Sequence, residues 1–178
     1  ALALLVAVVG IGSFLFHTFA NRWALLADVI PIAIFIYAYF FLALHRFVGL
    51  SPLMAGAATV LFAGFGFGLN PALDALTGAS MSDLTNGSIG YLPALLALVG
   101  TGVGLLFLAR ESGEAYRAAG AAILGVAVLF LLSLIFRTLD SAICPLVPIG
   151  THLLWHLLNA AVLYLLIRVA MRFREPTA

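Results

Sequence analysis

Six long apolar stretches, separated by polar breaks, organise this chain: residues 1–19, 26–44, 52–69, 91–109, 118–136 and 148–171. A helix crossing hydrocarbon needs about 20 apolar residues, or about 17 at the short end, and each stretch is long enough. Period-two alternation is missing throughout, which excludes a transmembrane β-barrel. Helices, whose backbone hydrogen bonds close within each segment, are what remains viable in lipid. The pattern predicts an all-α integral membrane protein, a polytopic bundle of six transmembrane helices forming one domain over residues 1–178. Connections are short except for residues 70–90, whose Gly, Ser, Thr, Asn and Asp content predicts a loop.

Composition fixes the solvent. The chain is 65% hydrophobic and 8% charged with a mean hydropathy of +1.22, against about 25% charged in soluble domains. A net charge of +1 offers no basic footprint for nucleic acid. Cys144 is the single cysteine, so neither an intrachain disulfide nor a cysteine-based zinc motif is available. The first stretch lacks a basic leader and carries polar residues, so it is not read as a signal peptide. Beginning at Ala1 inside an apolar run, the chain is expected to be the remainder of something longer.

All eight basic residues are Arg. Six of them, Arg46, Arg110, Arg117, Arg168, Arg172 and Arg174, fall at one end of the bundle, and Arg22 and Arg137 fall at the other. The positive-inside rule makes the six-Arg end, with the C-terminus, cytoplasmic. An Arg-only, Ala- and Gly-rich composition points to a bacterial inner membrane. The glycine runs at 64–68 and 100–104 lie inside apolar stretches with no Lys-Ser/Thr after them, so close helix packing is expected there rather than phosphate binding. Arg110, Glu111, Glu114 and Arg117 read as a charged turn.

Few polar residues sit inside the apolar stretches, and they share one depth. His152 and His156 are four apart in the sequence Thr-His-Leu-Leu-Trp-His, which puts both imidazoles on one helix face. Ser13 and His17 repeat that spacing near the end of the first stretch, and Asp28 lies near the start of the second. Polar side chains in lipid are costly and mark function. Three histidines and a carboxylate at one level therefore form a candidate metal site, provided that the first, second and sixth helices are neighbours. His45, beside Arg46, reads as interfacial. Asp140 can pair with Arg137 and Asn159 can support a ligand ring, with a structural role expected of each.

The sequence GSFLFH at 12–17, the Asp eleven residues after its His, the segment 140–144 and the late THLLWH resemble the alkaline ceramidase family of the CREST superfamily of membrane hydrolases. The resemblance covers nearly the whole chain. That family is a seven-helix bundle, and the match implies that the six stretches correspond to its second to seventh helices. It implies zinc (Zn2+) ligands at His17, His152 and His156, with Ser13 and Asp28 at the other catalytic positions. The spacing from His17 to Asp28 favours this family over the adiponectin-receptor branch. Animal members bind calcium through acidic residues around their first helix, and no such region is present here, so calcium is not carried over.

Three neutral imidazoles leave zinc a fourth, open coordination position, the arrangement of catalytic sites. Zinc there promotes ionisation of water, with Asp28 as general base and Ser13 hydrogen-bonding either the zinc water or the developing oxyanion. The expected activity is hydrolysis of ceramide or a related N-acyl lipid drawn from the bilayer, giving a fatty acid and a long-chain amine. Residues 70–90 lie on the same side as the site and are expected to cap it. A receptor or scaffold holding a structural zinc stays open as an alternative, as does an ion pathway. The sequence points to no protein partner.

Overall fold

The computed structural model describes residues 1–173, without the side chains of residues 110–112. Arg174 and the side chains of Arg110 and Glu111 thus lie outside the described residues. The chain forms helices α1 (Leu2–Phe19), α2 (Arg22–Leu42), α3 (Pro52–Thr77), the short α4 (Met81–Leu84), α5 (Leu92–Ser112), α6 (Glu114–Ile143) and α7 (His152–Arg172). A π-helical turn, Ala43–Phe47, extends α2, and a 3-10 turn, Ser88–Tyr91, leads into α5. No β-strand occurs among the described residues. Six helices are long and apolar enough to span a membrane, so the chain is an all-α, polytopic six-span bundle.

Local chemistry sets the helix ends. Asn21 caps α2 by accepting the Ala24 N–H at 3.1 Å, and Ser51 caps α3 just ahead of Pro52, whose missing N–H costs nothing at that position. Residues 70–90 are not the single loop that their composition predicts. α3 continues to Thr77 and stops where Gly78 adopts a left-handed φ of 70°. The Asp74 carboxylate then accepts the Met81 N–H at 2.7 Å, and Ser80 caps α4. Polar residues made the segment a poor lipid span without making it a poor helix.

α6 is the central element. Its buried residues include Ala119, Ile123, Val126, Ala127, Phe130 and Leu134, a stripe of helical period, and it packs on α5 to one side and α7 to the other. Large apolar side chains elsewhere, such as Leu4, Phe14, Leu53, Leu61 and Phe67, are exposed, as a lipid-facing belt requires. Burial of apolar area drives little here, because lipid is as apolar as leucine; close backbone approach and polar contacts hold the helices instead.

The α5–α6 seam illustrates the first. A Cβ at Gly102 lies 2.7 Å from Leu124 Cγ, and one at Gly120 lies 2.8 Å from the Gly102 carbonyl oxygen. In both glycine runs the packing expected holds at the central glycine, Gly102 here and Gly66 against Tyr37 at 3.5 Å, while Gly64, Gly68, Gly100 and Gly104 face open space.

α1 and α2 are joined by Ala20 and Asn21 and lie against each other. Pro31, buried within α2, has no N–H to give to the Ala27 carbonyl four residues earlier. That carbonyl is the atom against which Gly12 of α1 rests: a Cβ on Gly12 collides with the Ala27 oxygen and comes within 3.1 Å of Asp28 Cα. Gly12 thereby brings the Ser13–His17 turn of α1 beside Asp28. Gly12→Ala is expected to destabilise the protein by about 1–3 kcal/mol, the usual cost of overpacking, and Gly12→Val by more. Gly10→Ala, which meets open space, is the control. Thermal unfolding in detergent measures all three.

Candidate metal centre

The three histidines converge. His17 arrives on the last turn of α1, and His152 and His156 on the first turns of α7, with ring centroids 5.5 Å apart for His17–His152, 4.7 Å for His17–His156 and 4.8 Å for His152–His156. One ring nitrogen from each lies within 4.8 Å of the others. Two zinc–nitrogen bonds of about 2.1 Å span about 4.2 Å, so a rotation of the rings suffices to close the group on one ion. His17 is exposed and the other two are half-buried. The His156 Nε2 is buried with no hydrogen-bond partner, which is costly in a core unless a ligand takes the lone pair. An all-imidazole donor set with an unpartnered nitrogen fits zinc or a similar first-row ion.

α7 is placed by polar contacts from α6, which stand in for the missing hydrophobic drive. The Thr151 hydroxyl donates to the Phe136 carbonyl at 2.6 Å, and the Ser133 hydroxyl reaches the Trp155 carbonyl at 3.5 Å. Asp140 does most. Its Oδ1 accepts the backbone N–H groups of Thr151 at 2.6 Å and His152 at 2.8 Å, neutralising the positive end of the α7 dipole. Its Oδ2 lies 3.6 Å from His152 Nδ1, longer than a hydrogen bond yet close enough to favour presentation of the opposite nitrogen to a metal. Gly150, at φ 65°, makes this possible, since a Cβ there collides with the Asp140 carboxylate and lies 2.7 Å from Cys144 Sγ.

Asp140 therefore does not pair with Arg137, as its position three residues on suggested. Arg137 instead lies over the rings of Tyr91 and Trp155, at 5.5 and 5.1 Å from their centroids. Cys144 is exposed beside Asp140, its Sγ 3.8 Å from Oδ1. Local desolvation and then the neighbouring carboxylate push its thiol pKa up.

The remaining residues singled out in the sequence divide. Asp28 is half-buried near the start of α2, its Oδ1 has no hydrogen-bond partner, and it lies within electrostatic reach of His17 and Arg137. It falls outside the trio of converging ligand atoms. Ser13 is half-buried one turn before His17. Asn159 shows no hydrogen bond to a histidine among the described residues and lines an apolar cavity instead. His45 is exposed in the π-helical turn, its Nδ1 2.8 Å from the Leu50 carbonyl, as an interfacial residue.

That cavity lies between the helices and reaches along α7 to Asn159, about one turn past His156, with no histidine in its lining. Phe35 and Tyr39 of α2, Tyr91, Phe130 of α6 and Asn159 and Leu166 of α7 line it, and Tyr39 closes one side by donating to the Leu166 carbonyl at 3.1 Å. Asn159 and Leu166 are two helical turns apart, so the cavity extends about 10 Å along α7, away from His156. Comparison with family models, characterised proteins and solved structures gives no match.

Asp140 is the residue that sequence reasoning assigned to the wrong partner; the signal was its place eleven residues before a Gly-Thr-His helix start. Asp140→Ala is expected to weaken metal binding about 10- to 100-fold, the usual effect of losing a carboxylate behind a ligating histidine. Asp140→Asn, which still offers an oxygen to both N–H groups, is expected to lose less. Titration with zinc against a chromophoric chelator reads the difference.

Proposed function

We infer that this chain is a zinc-dependent intramembrane amide hydrolase acting on ceramide or a related N-acyl lipid. The observation that carries this reading is the convergence of the His17, His152 and His156 nitrogens inside a membrane-spanning bundle; the unpartnered Asp28 oxygen and the apolar cavity between the helices support it. The likeness of GSFLFH, Asp28 and THLLWH to the alkaline ceramidases supports the substrate class. A closed structural site takes four ligands, whereas the converging group among the described residues has three, which favours catalysis over a receptor or scaffold role.

His17, His152 and His156 hold the metal, which when bound supplies a Lewis acid and makes water a competent nucleophile near neutral pH. Asp28 accepts a proton from the attacking water and returns it to the amine nitrogen as the carbon–nitrogen bond breaks. The Ser13 hydroxyl donates to the oxygen on which negative charge develops. The acyl chain occupies the apolar cavity, with Asn159 below the reacting carbonyl and Leu166 and Tyr39 at its inner end. The products are a fatty acid and a long-chain amine. The six-Arg end is cytoplasmic by charge bias, so the histidines face the opposite side of the membrane.

Metal analysis and fatty-acid release from ceramide, measured on the purified protein, test this. His152→Ala is expected to lose zinc and activity together. Asp28→Asn is expected to keep its zinc and lose about 10²- to 10⁴-fold in rate, the usual contribution of a general base. A fully active Asp28→Asn enzyme would overturn the assignment of the base.

A further inference from the structure

Arg137 is a half-buried cation that nothing in the proposed chemistry uses. Its Nε is buried with no hydrogen-bond partner, and among the described residues no carboxylate forms an ion pair with it. The nearest in sequence, Asp140, is committed to the α7 N-terminus. Stacking on Tyr91 and Trp155 and the field of Asp28 offset some of the loss of hydration, yet a charge with no contact partner in a membrane protein stays expensive and is ordinarily kept for a ligand or a path. An arginine that merely reached for the interface would project past the helix end. This one lies against Trp155, which is 3% exposed.

Its position along the bundle tells what it can bind. Arg137 is seven residues, about 10 Å, beyond Phe130 on α6, and Phe130 lines the apolar cavity. Trp155, on which the guanidinium rests, has its ring centroid 6.4 Å from that of His156, and Arg137 lies within electrostatic reach of Asp28, His152 and His156. The guanidinium thus lies at the level of the histidines and beside Tyr91, which itself lines the cavity. A lipid with its acyl chain in the cavity and its carbonyl at the histidines turns its amine side towards Arg137. The segment between α3 and α5 covers the same place: Asn86 donates to the Arg137 carbonyl at 2.9 Å, and a Cβ at Gly87 lies 3.0 Å from Nη2. A side chain at Gly87 crowds the fork, and its φ of 75° favours glycine as well.

We propose that Arg137 is a specificity-determining residue that binds a carboxylate on the amine side of the substrate, so that the preferred substrate is an N-acyl amino acid rather than a neutral N-acyl amine. A guanidinium fork matches a carboxylate in two parallel hydrogen bonds. The inference rests on the amide-hydrolase reading for its reaction. Water adds to the amide carbonyl carbon, the carbon–nitrogen bond breaks, and a water proton goes to the nitrogen, releasing a fatty acid and a free amino acid.

N-palmitoylglycine and N-palmitoylethanolamine differ at the group in question and serve as the two probes. The purified enzyme is expected to hydrolyse the glycine conjugate with kcat/KM at least about tenfold higher, roughly the value of one charge-assisted contact. Arg137→Gln brings the two substrates to parity, and Arg137→Lys retains part of the preference. Binding is read separately on chelator-treated Trp23→Phe protein, where Trp155 is the remaining tryptophan: N-palmitoylglycine is expected to give a saturable fluorescence change at lower concentration than its neutral counterpart. Equal kcat/KM values for the two probes in the unsubstituted enzyme overturn the proposal, as does a preference that survives Arg137→Gln. If neither amide is cleaved while Trp155 still distinguishes them, Arg137 stands as a carboxylate site and the amidase reading falls.

Discussion

In hydrocarbon an unpaired polar atom has no water to turn to, and this constraint organises the molecule. Most buried polar side chains answer it by gripping a neighbouring backbone, as Thr151, Ser133 and Tyr39 do. Four buried side-chain atoms among the described residues do not: Asp28 Oδ1, Asn70 Oδ1, Arg137 Nε and His156 Nε2. Three of these four belong to the end of the bundle where the histidines meet. A fold that leaves one such atom open elsewhere, at Asn70, and three in one place marks that place as built for something that is not protein.

Two contacts that involve no hydrophobic burial bring this about. Gly12 against the carbonyl that Pro31 cannot engage fixes how α1 lies on α2. Asp140 on the N-terminus of α7 fixes where the His152–His156 face begins. Each involves a glycine where a side chain does not fit, Gly12 in the first and Gly150 in the second.

The spans were legible because apolarity over some 20 residues is a direct physical requirement of lipid. The HxxxH pair was legible because helical periodicity alone sets i and i+4 on one face. The meeting of α1, α2 and α7 was not, since Gly12, Ala27 and Pro31 carry no periodic signal and act only once two helices touch. Residues 70–90 misled because span length and helix length are different quantities; Asn70 and Asp74 end the first and lie within the second. Arg137 and Asp140 misled because opposite charges at i and i+3 on a helix usually pair, whereas here a helix dipole and two aromatic rings compete for them and win.

The helices fall into two groups with little between them where the site lies. α1 clings to α2, and α5, α6 and α7 hold one another, while α1 and α7 share only a slight contact. Any ion bound by His17 from the first group and His152 and His156 from the second is a cross-link between them. Its binding free energy is then also association free energy for the two halves. Assembly of the bundle and competence of the site become one equilibrium, so that a chain short of metal is loosened at the seam where its chemistry is placed.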